Sequence, residues 1–158
     1  MTHAFTVSAV IPASPKEIYD AWLNGRAHAL MTGTQSATGS TRVGGKIAAW
    51  DGYISGRNVE LVPGRKIVQA WRTTEFSELD ADSQITVTLA KAASGTKVTL
   101  RHSGVPDSHT GYKSGWADHY FAPMKAYFGA LAAKTKAKKK PAAGKAKGKA
   151  PKRTAKKK

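Results

Sequence analysis

The chain has 158 residues, no cysteine and a formal net charge of +16. The lack of cysteine excludes disulfides, thiolate catalysis and cysteine-ligated metal sites. No stretch approaches the roughly 18 consecutive apolar residues of a membrane-spanning helix. The N-terminus has no basic segment followed by a long apolar run, so a signal peptide is not expected. We therefore expect a soluble, cytoplasmic protein.

The basic residues are concentrated at the C-terminus. Residues 134–158 hold 13 of the 26 Lys and Arg residues and no Asp or Glu. The remaining residues therefore have 13 basic against 10 acidic side chains, an ordinary balance for a folded domain. The segment 134–158 has no aromatic or large aliphatic residue with which to offset chain entropy. This composition predicts one compact domain over residues 1–133 and a disordered lysine-rich tail over residues 134–158.

The first half of the domain is predicted to begin with a strand and two helices. Apolar residues alternate from Phe5 to Ile11, which is typical of a strand. Ser14, followed by Pro15 and then Glu17, has the spacing of a helix N-cap with a capping box. A second short helix is predicted near residues 27–31. Residues 33–44 are rich in Gly, Ser and Thr and predict a loop or a weak edge strand.

Five strand-like runs separated by turn residues follow. Ile85, Val87 and Leu89 alternate with Thr86 and Thr88, so one face of that strand is apolar. Short turns between successive strands indicate an antiparallel meander. The predicted runs are 46–50, 52–61, 66–73, 83–91 and 95–102.

A long C-terminal helix is predicted after residue 109. Its apolar positions recur at steps of three or four: Trp116, Tyr120, Met124, Tyr127 or Phe128, and Leu131. Pro123 lies within this pattern and predicts a kink or an irregular start. The fold class is therefore α+β, with a curved antiparallel sheet of six or seven strands wrapped around the long helix.

Four local motifs occur in a characteristic order. They are Trp50-Asp51-Gly52-Tyr53-Ile54-x-Gly56, then Leu61-x-Pro63-Gly64-x-x-Ile67-x-x-x-Trp71-Arg72, then Thr99-Leu100-x-His102-x-Gly104-Val105-Pro106, then Gly115-Trp116-x-x-His119-Tyr120-x-x-Pro123-Met124-Lys125-x-Tyr127-Phe128. The element order resembles the helix-grip fold of the START-like, SRPBCC superfamily. The motifs resemble the activators of heat-shock protein 90 ATPase in their stand-alone, single-domain form. The resemblance covers roughly residues 3–130 and implies a chaperone as a possible partner.

A helix that grips a curved sheet often leaves a ligand cavity between the two. The residues expected to line it are Trp50, Tyr53, Trp71, Phe76, His102, Trp116, His119, Tyr120 and Met124. The alternative is that the aromatic residues simply fill the core. His102 and His119 could act as acid–base groups, or they could be hydrogen-bonded structural histidines. His3, His28 and His109 are expected in termini or loops without a recognisable partner.

No catalytic residue, metal site or cofactor is assigned. The chain has no HExxH motif, and adjacent helical residues such as Asp118 and His119 point about 100° apart, so they do not chelate one ion. Ser103 and Ser114 have no identifiable triad partners. Glycine-rich phosphate-binding patterns are also missing from the sequence.

The lysine-rich tail is predicted to bind nucleic acid without sequence preference. Each Lys that neutralises a phosphate releases condensed counterions, and a lysine point charge does not read bases. The alternatives are another polyanion such as polyphosphate, superficial adsorption to anionic lipid, or a solubilising spacer. DNA as the polyanion implies association with the nucleoid. The residues are Lys134, Lys136, Lys138, Lys139, Lys140, Lys145, Lys147, Lys149, Lys152, Arg153, Lys156, Lys157 and Lys158.

Three functions are compatible with these patterns. The leading hypothesis is a non-enzymatic binding module: a START-like domain that holds a small apolar ligand or a protein partner, tethered to nucleic acid by its tail. The second is a co-chaperone-like regulator of a heat-shock protein 90-type ATPase. The third is an enzyme that uses His102 or His119 in the cavity.

Overall fold

A computed structural model describes the backbone of residues 1–139 and the side chains of residues 1–134. The predicted tail residues from 140 to 158 lie outside the described residues. The elements are β1 (Thr2–Ile11), α1 (Pro15–Leu23), α2 (Gly25–Thr32), β2 (Lys46–Ala49), β3 (Ile54–Val62), β4 (Lys66–Thr73), β5 (Ser83–Ala92), β6 (Gly95–Pro106), α3 (Tyr112–Trp116), a π-helical turn (Ala117–Phe121) and α4 (Ala122–Lys139).

The six strands form one antiparallel sheet in the order β1-β6-β5-β4-β3-β2. The register shifts between His3 and Phe5 in β1 and between Asn58 and Glu60 in β3. Irregularities of this kind bend a strand and increase its local twist. The predicted α+β helix-grip fold and the antiparallel meander are confirmed, with six strands.

One face of the sheet is covered by the helices. Ile85 and Val87 of β5 are fully buried on this face, and Leu89 is 6% exposed, as the alternation predicted. From the C-terminal helical region, five large side chains complete the core: Trp116, Tyr120, Phe121, Met124 and Phe128. Of the two residues proposed for the inward position after Met124, Phe128 is buried and Tyr127 is only partly buried. Leu131 is 40% exposed, so the helix has left the sheet by that residue.

Helices α1 and α2 are capped as the sequence indicates. The Ser14 hydroxyl accepts the backbone N–H of Glu17, and the Glu17 carboxylate accepts the backbone N–H of Ser14, which is the predicted capping box. Asn24 ends α1 and also begins α2, where its side-chain oxygen accepts the N–H of Ala27 at 2.9 Å. This shared cap fixes α2 directly after α1.

The loop before β2 is held to the sheet by a buried polar network. The Asn58 amide, 1% exposed, donates to the carbonyls of Ser40 and Arg42 at 2.9 and 3.0 Å. Gln69 donates to the Asn58 carbonyl oxygen at 2.9 Å and accepts the Trp22 indole N–H at 3.2 Å. A segment with few apolar residues of its own is thus anchored by hydrogen bonds to Asn58 of β3, and Asn58 is linked in turn to Gln69 of β4 and Trp22 of α1.

The C-terminal helical region is irregular where Pro123 predicted it. The turn Ala117–Phe121 is π-helical, and the N–H of Ala122 donates to the carbonyl of Ala117, five residues earlier. Pro123 has no N–H to continue a regular α-helical ladder, so the wider turn lies just before it. Within residues 1–139, no helix is long and apolar enough to cross a membrane.

Helix α4 continues to Lys139, beyond the expected start of the tail at residue 134. The prediction of disorder is therefore corrected for residues 134–139. Ala and Lys have high helix propensity, and the preceding turns of α4 provide the nucleus that an isolated segment lacks.

Candidate functional site

An open cleft of about 710 Å³ lies at one end of the sheet. One side is formed by the turn between β2 and β3 and by the end of β4, and the other by residues 108–111, α3 and the π-helical turn. The larger side chains that line the cleft include Trp50, Tyr53, Trp71, Glu75, His109, Tyr112, Trp116, Asp118, His119 and Tyr120.

The floor of the cleft is a cluster of aromatic rings packed edge-on or tilted against one another. Trp71 lies 5.2 Å from Tyr112 and 5.4 Å from Trp116, measured between ring centroids. Trp116 in turn lies 4.7 Å from Tyr120. Trp71, Trp116 and Tyr120 are each less than 5% exposed. These mutually packed rings supply the aromatic surface of the cleft.

One wall of the cleft is polar. The Tyr53 hydroxyl donates to the Glu75 carboxylate. The Tyr112 hydroxyl is hydrogen-bonded to Thr73 Oγ1 at 2.7 Å and lies 3.1 Å from His109 Nδ1. Burial is the main cause that raises the pKa of the Tyr53 and Tyr112 hydroxyls. Both tyrosines are therefore neutral hydrogen-bonding groups at physiological pH.

Trp50 reaches the cleft from a turn with unusual backbone geometry. Its φ is +54°, and that of Asp51 is +57°, in the left-handed region where a bulky side chain is disfavoured. The Asp51 carboxylate accepts the Ser36 N–H at 2.7 Å and the Ser36 hydroxyl at 3.2 Å, which supports the turn. The Trp50 indole meets the His119 ring edge-on at 5.5 Å. Backbone strain of this kind is common at functional sites.

His102 lies beneath the cleft floor and is fully buried. The Trp116 indole N–H donates to its Nδ1 at 3.1 Å, so its proton is on Nε2, which donates to Ser83 Oγ at 2.8 Å. The Ser83 hydroxyl donates in turn to the Trp71 carbonyl at 2.6 Å. Burial, with a smaller contribution from His3, lowers the pKa of His102 to about 3. Because both ring nitrogens are occupied, this geometry favours the structural histidine over the acid–base role.

His28, which the sequence placed without a partner, is a second buried histidine. It lies on α2, its Nδ1–H donates to the Trp22 carbonyl at 2.8 Å, and its Nε2 accepts the Tyr120 hydroxyl at 2.7 Å. Burial lowers the pKa of His28 and raises that of Tyr120. The missed signal was helical: His28 follows the Asn24 cap by four residues, on the same side of α2 as Met31 and Thr32, which are also buried.

Six of the nine residues proposed for the cavity line the cleft: Trp50, Tyr53, Trp71, Trp116, His119 and Tyr120. For Phe76, His102 and Met124, the predicted place in the lining is corrected. Phe76 packs against Trp71 and under the Arg72 guanidinium, while Met124 is fully buried in the core. The alternation of a strand or helix identifies an inward side chain, but it does not distinguish the cleft from the core below it.

Acidic side chains are part of the cleft lining. Its charged side chains are the carboxylates of Glu75 and Asp118, and no Lys or Arg occurs among the lining residues, all of which belong to the described part of the chain. Within that part, no group of three or more His, Asp or Glu side chains could hold a metal ion. The arrangement provides aromatic surface, hydroxyls and negative charge, which are features of a binding site.

Comparison with known proteins identifies relatives of this domain. Residues 12–129 match the family model described as Activator of Hsp90 ATPase homolog 1-like protein. An activator of 90 kDa heat shock protein ATPase homolog from Dictyostelium discoideum is 36% identical over 106 residues, covering 65% of this chain and 27% of that protein. A human homolog 1 of the same description is 28% identical over 129 residues, covering 81% of this chain and 38% of that protein.

A solved structure has the same fold. The crystal structure of an HSP90 activator from Plasmodium falciparum superposes with a TM-score of 0.70 at 22% identity, over 80% of this chain and 96% of that one. The chain spans between about a quarter and two fifths of the curated relatives' length. The family match covers most of the domain, in agreement with the resemblance seen in the four motifs. The chain therefore belongs to the family of activator of Hsp90 ATPase homolog 1-like proteins.

Proposed function

We propose that this chain is a co-chaperone-like domain that binds a heat-shock protein 90-type ATPase. The observation that carries the proposal is its similarity to relatives named as activators of that ATPase, at up to 36% identity. Because the chain spans only part of those relatives, we propose binding of the chaperone as its minimal function and stimulation of ATP hydrolysis as the activity to be tested.

The test uses the full chain and the heat-shock protein 90 homologue of the same organism. Steady-state ATPase rate and binding by calorimetry are measured together. A polybasic tail can adhere to any acidic protein, so the matched control is a full chain in which the nine basic residues of 140–158 are replaced by Gln. The proposal requires that this control still binds. Loss of binding in the control, or no binding of either protein, would refute it.

A second candidate function is the binding of a small ligand in the cleft. Its volume of about 710 Å³ falls within the range of roughly 300–1,000 Å³ common to ligand sites. The observation that favours this function is the combination of an aromatic floor with a few hydrogen-bonded polar groups on the wall. Native mass spectrometry of the purified chain is expected to detect a bound small molecule. A protein that is ligand-free after gentle purification, and that binds nothing in a fragment screen, would contradict this candidate.

We further propose that the lysine-rich tail binds nucleic acid or another polyanion, as a part of the chain separate from the domain. The proposal is supported by nine basic and no acidic residues over 140–158. It makes no use of the cleft, whose lining lacks Lys and Arg within the described residues. The division into a domain and a tail near residue 133 is part of this proposal.

A further inference from the structure

We propose that the cleft binds a small organic cation, an alkylammonium group on a short apolar stem. This inference rests on the proposed ligand-binding function of the cleft, and it names the charge class of the ligand. It differs from the apolar ligand expected from the sequence, because the structure adds carboxylates to the aromatic lining.

The first step is the separation of charge across the molecule. Residues 1–133 have 13 basic and 10 acidic side chains, so a surface cleft in this domain would be expected to include charges of both signs. Within the described residues, the lining instead includes Glu75 and Asp118 and no Lys or Arg. A concave site lined by one sign of charge concentrates ligands of the opposite sign. The carboxylates of Glu75 and Asp118 are therefore available to attract a cation into the cleft.

The second step is the aromatic surface. Trp50, Tyr53 and Tyr112 line the cleft and are only partly buried, so parts of their rings remain accessible. The face of an aromatic ring is electronegative and attracts a cation, with Trp the strongest of the three residue types. A turn in the left-handed region places Trp50 at the cleft despite the backbone strain, which is consistent with a requirement for its ring.

The third step is the position of the Glu75 carboxylate. The Tyr53 hydroxyl donates a hydrogen bond to this carboxylate. The negative charge of Glu75 is therefore held next to the Tyr53 side chain, whose ring lines the cleft. A cation that contacts the ring of Tyr53 is consequently close to a fixed negative charge. Tyr112 lies on the same wall, tied to Thr73 at 2.7 Å. Ring faces and a carboxylate at one place are the two features that recognise an alkylammonium group.

The probe is choline, and its matched control is 3,3-dimethylbutan-1-ol, which has the same shape with carbon in place of nitrogen. Both are titrated into the full chain at pH 8 while the tryptophan indole signals are followed by NMR. We expect choline to shift the Trp50 indole signal and to bind about tenfold more tightly than its neutral analogue. Equal affinities would overturn the cation preference and leave the ligand site intact. Failure of both probes, and of benzyltrimethylammonium, to shift any signal would overturn the ligand site as well.

Two test variants and one control variant show which carboxylate contributes to choline binding. Glu75→Gln keeps an acceptor for the Tyr53 hydroxyl and is expected to weaken choline binding roughly fivefold, without changing the affinity of the neutral analogue. Glu78→Gln is the matched control, because it makes the same charge change in the same exposed loop without lining the cleft. Asp118→Asn provides an independent second test. Equal choline affinity in all three variants and the unmodified chain would refute the role of the carboxylates.

Discussion

Nδ1 of His102 accepts the indole N–H of Trp116 across 3.1 Å. This bond joins β6 to the helix that forms one side of the cleft, and it continues through Ser83 to the carbonyl of Trp71. Two of the three tryptophans that line the cleft are thus tied to one buried imidazole. The position of the aromatic floor depends on His102, although His102 itself does not reach the cleft.

Replacing His102 is expected to show how much this bond contributes. His102→Leu leaves the buried Trp116 N–H without its acceptor and should lower the free energy of unfolding by about 2–4 kcal/mol. His102→Gln retains one hydrogen-bond donor and one acceptor, so it should lower the free energy of unfolding by less than His102→Leu does. Urea unfolding of the two variants checks this. His119→Gln, at an exposed position, should change stability by less than about 0.5 kcal/mol. Equal losses for Leu and Gln would contradict the hydrogen-bond account.

Stability is expected to fall in acid because His102 is neutral in the folded protein. Its pKa is about 3, lowered mainly by burial, against about 6.5 in the unfolded chain. Between these values the unfolded state binds more protons, so the free energy of unfolding falls as pH falls through this window. His28, whose pKa is also lowered by burial, acts in the same direction. Each histidine should contribute up to about 1.4 kcal/mol per pH unit.

The measurement is the denaturant midpoint between pH 7.5 and pH 4.5. In His102→Gln, the slope of stability against pH should be shallower by about one proton, because Gln does not titrate. A slope that is unchanged in His102→Gln would mean that another group causes the acid sensitivity.

The sequence predicted the fold well because each element has a local signal. The capping box at Ser14 and Glu17, the alternation through Ile85 and Val87, and the irregularity at Pro123 all depend on near neighbours. The C-terminal extent of the last helix was less predictable. The continuation of α4 to Lys139 depends on the helix that precedes it, and composition alone indicated disorder.

The site was predicted only in part, because its geometry depends on contacts between distant residues. Periodicity places both His102 and Trp71 on inward faces, but only the packing shows that one lies below the floor and the other lines it. The partners of His28 and Glu75 are 92 and 22 residues away. Pairings at that separation leave no pattern in a single sequence, so neither residue was proposed for the site.

Asn58 is expected to control the order of the loop before β2. Asn58→Leu removes both hydrogen bonds to the carbonyls of Ser40 and Arg42 and leaves the Gln69 amide unpaired. We expect a loss of about 2–3 kcal/mol and faster amide hydrogen exchange over residues 40–45. Ser55→Ala, at an exposed position on the same strand, is the control and should leave both unchanged. Normal exchange in Asn58→Leu would show that the loop is held by other contacts.

The tail is expected to give salt-dependent binding to duplex DNA. If about eight of its lysines contact phosphates, the slope of log K against log salt concentration should be about −7. Fluorescence anisotropy with two unrelated duplexes measures the slope and should give equal affinities. The chain with Gln at the nine basic positions of 140–158 should lose most of this dependence. A similar slope in that variant would assign the binding to the domain.

At position 50, a Gly variant is expected to be more stable than an Ala variant, which reverses the usual effect of these two residues on stability. At most positions, a protein with Gly is less stable than the same protein with Ala, because Gly loses more backbone entropy on folding. At φ +54°, however, any residue with a Cβ is strained by about 1–2 kcal/mol. Trp50→Gly should therefore be more stable than Trp50→Ala by about 1 kcal/mol, although both lose the indole contact with His119. Chemical denaturation of the two variants measures the difference.

The two Trp50 variants distinguish the effect of backbone strain on stability from the effect of the indole ring on choline binding. Both variants lack the Trp50 indole, so both should bind choline more weakly than the unmodified chain, by a similar factor. If the Gly variant is as stable as the unmodified chain but binds choline poorly, the Trp50 ring contributes to ligand binding and not to stability. If Trp50→Ala is the more stable variant, the left-handed geometry at Trp50 is wrong. If the Gly variant binds choline normally, Trp50 is not part of the cation site.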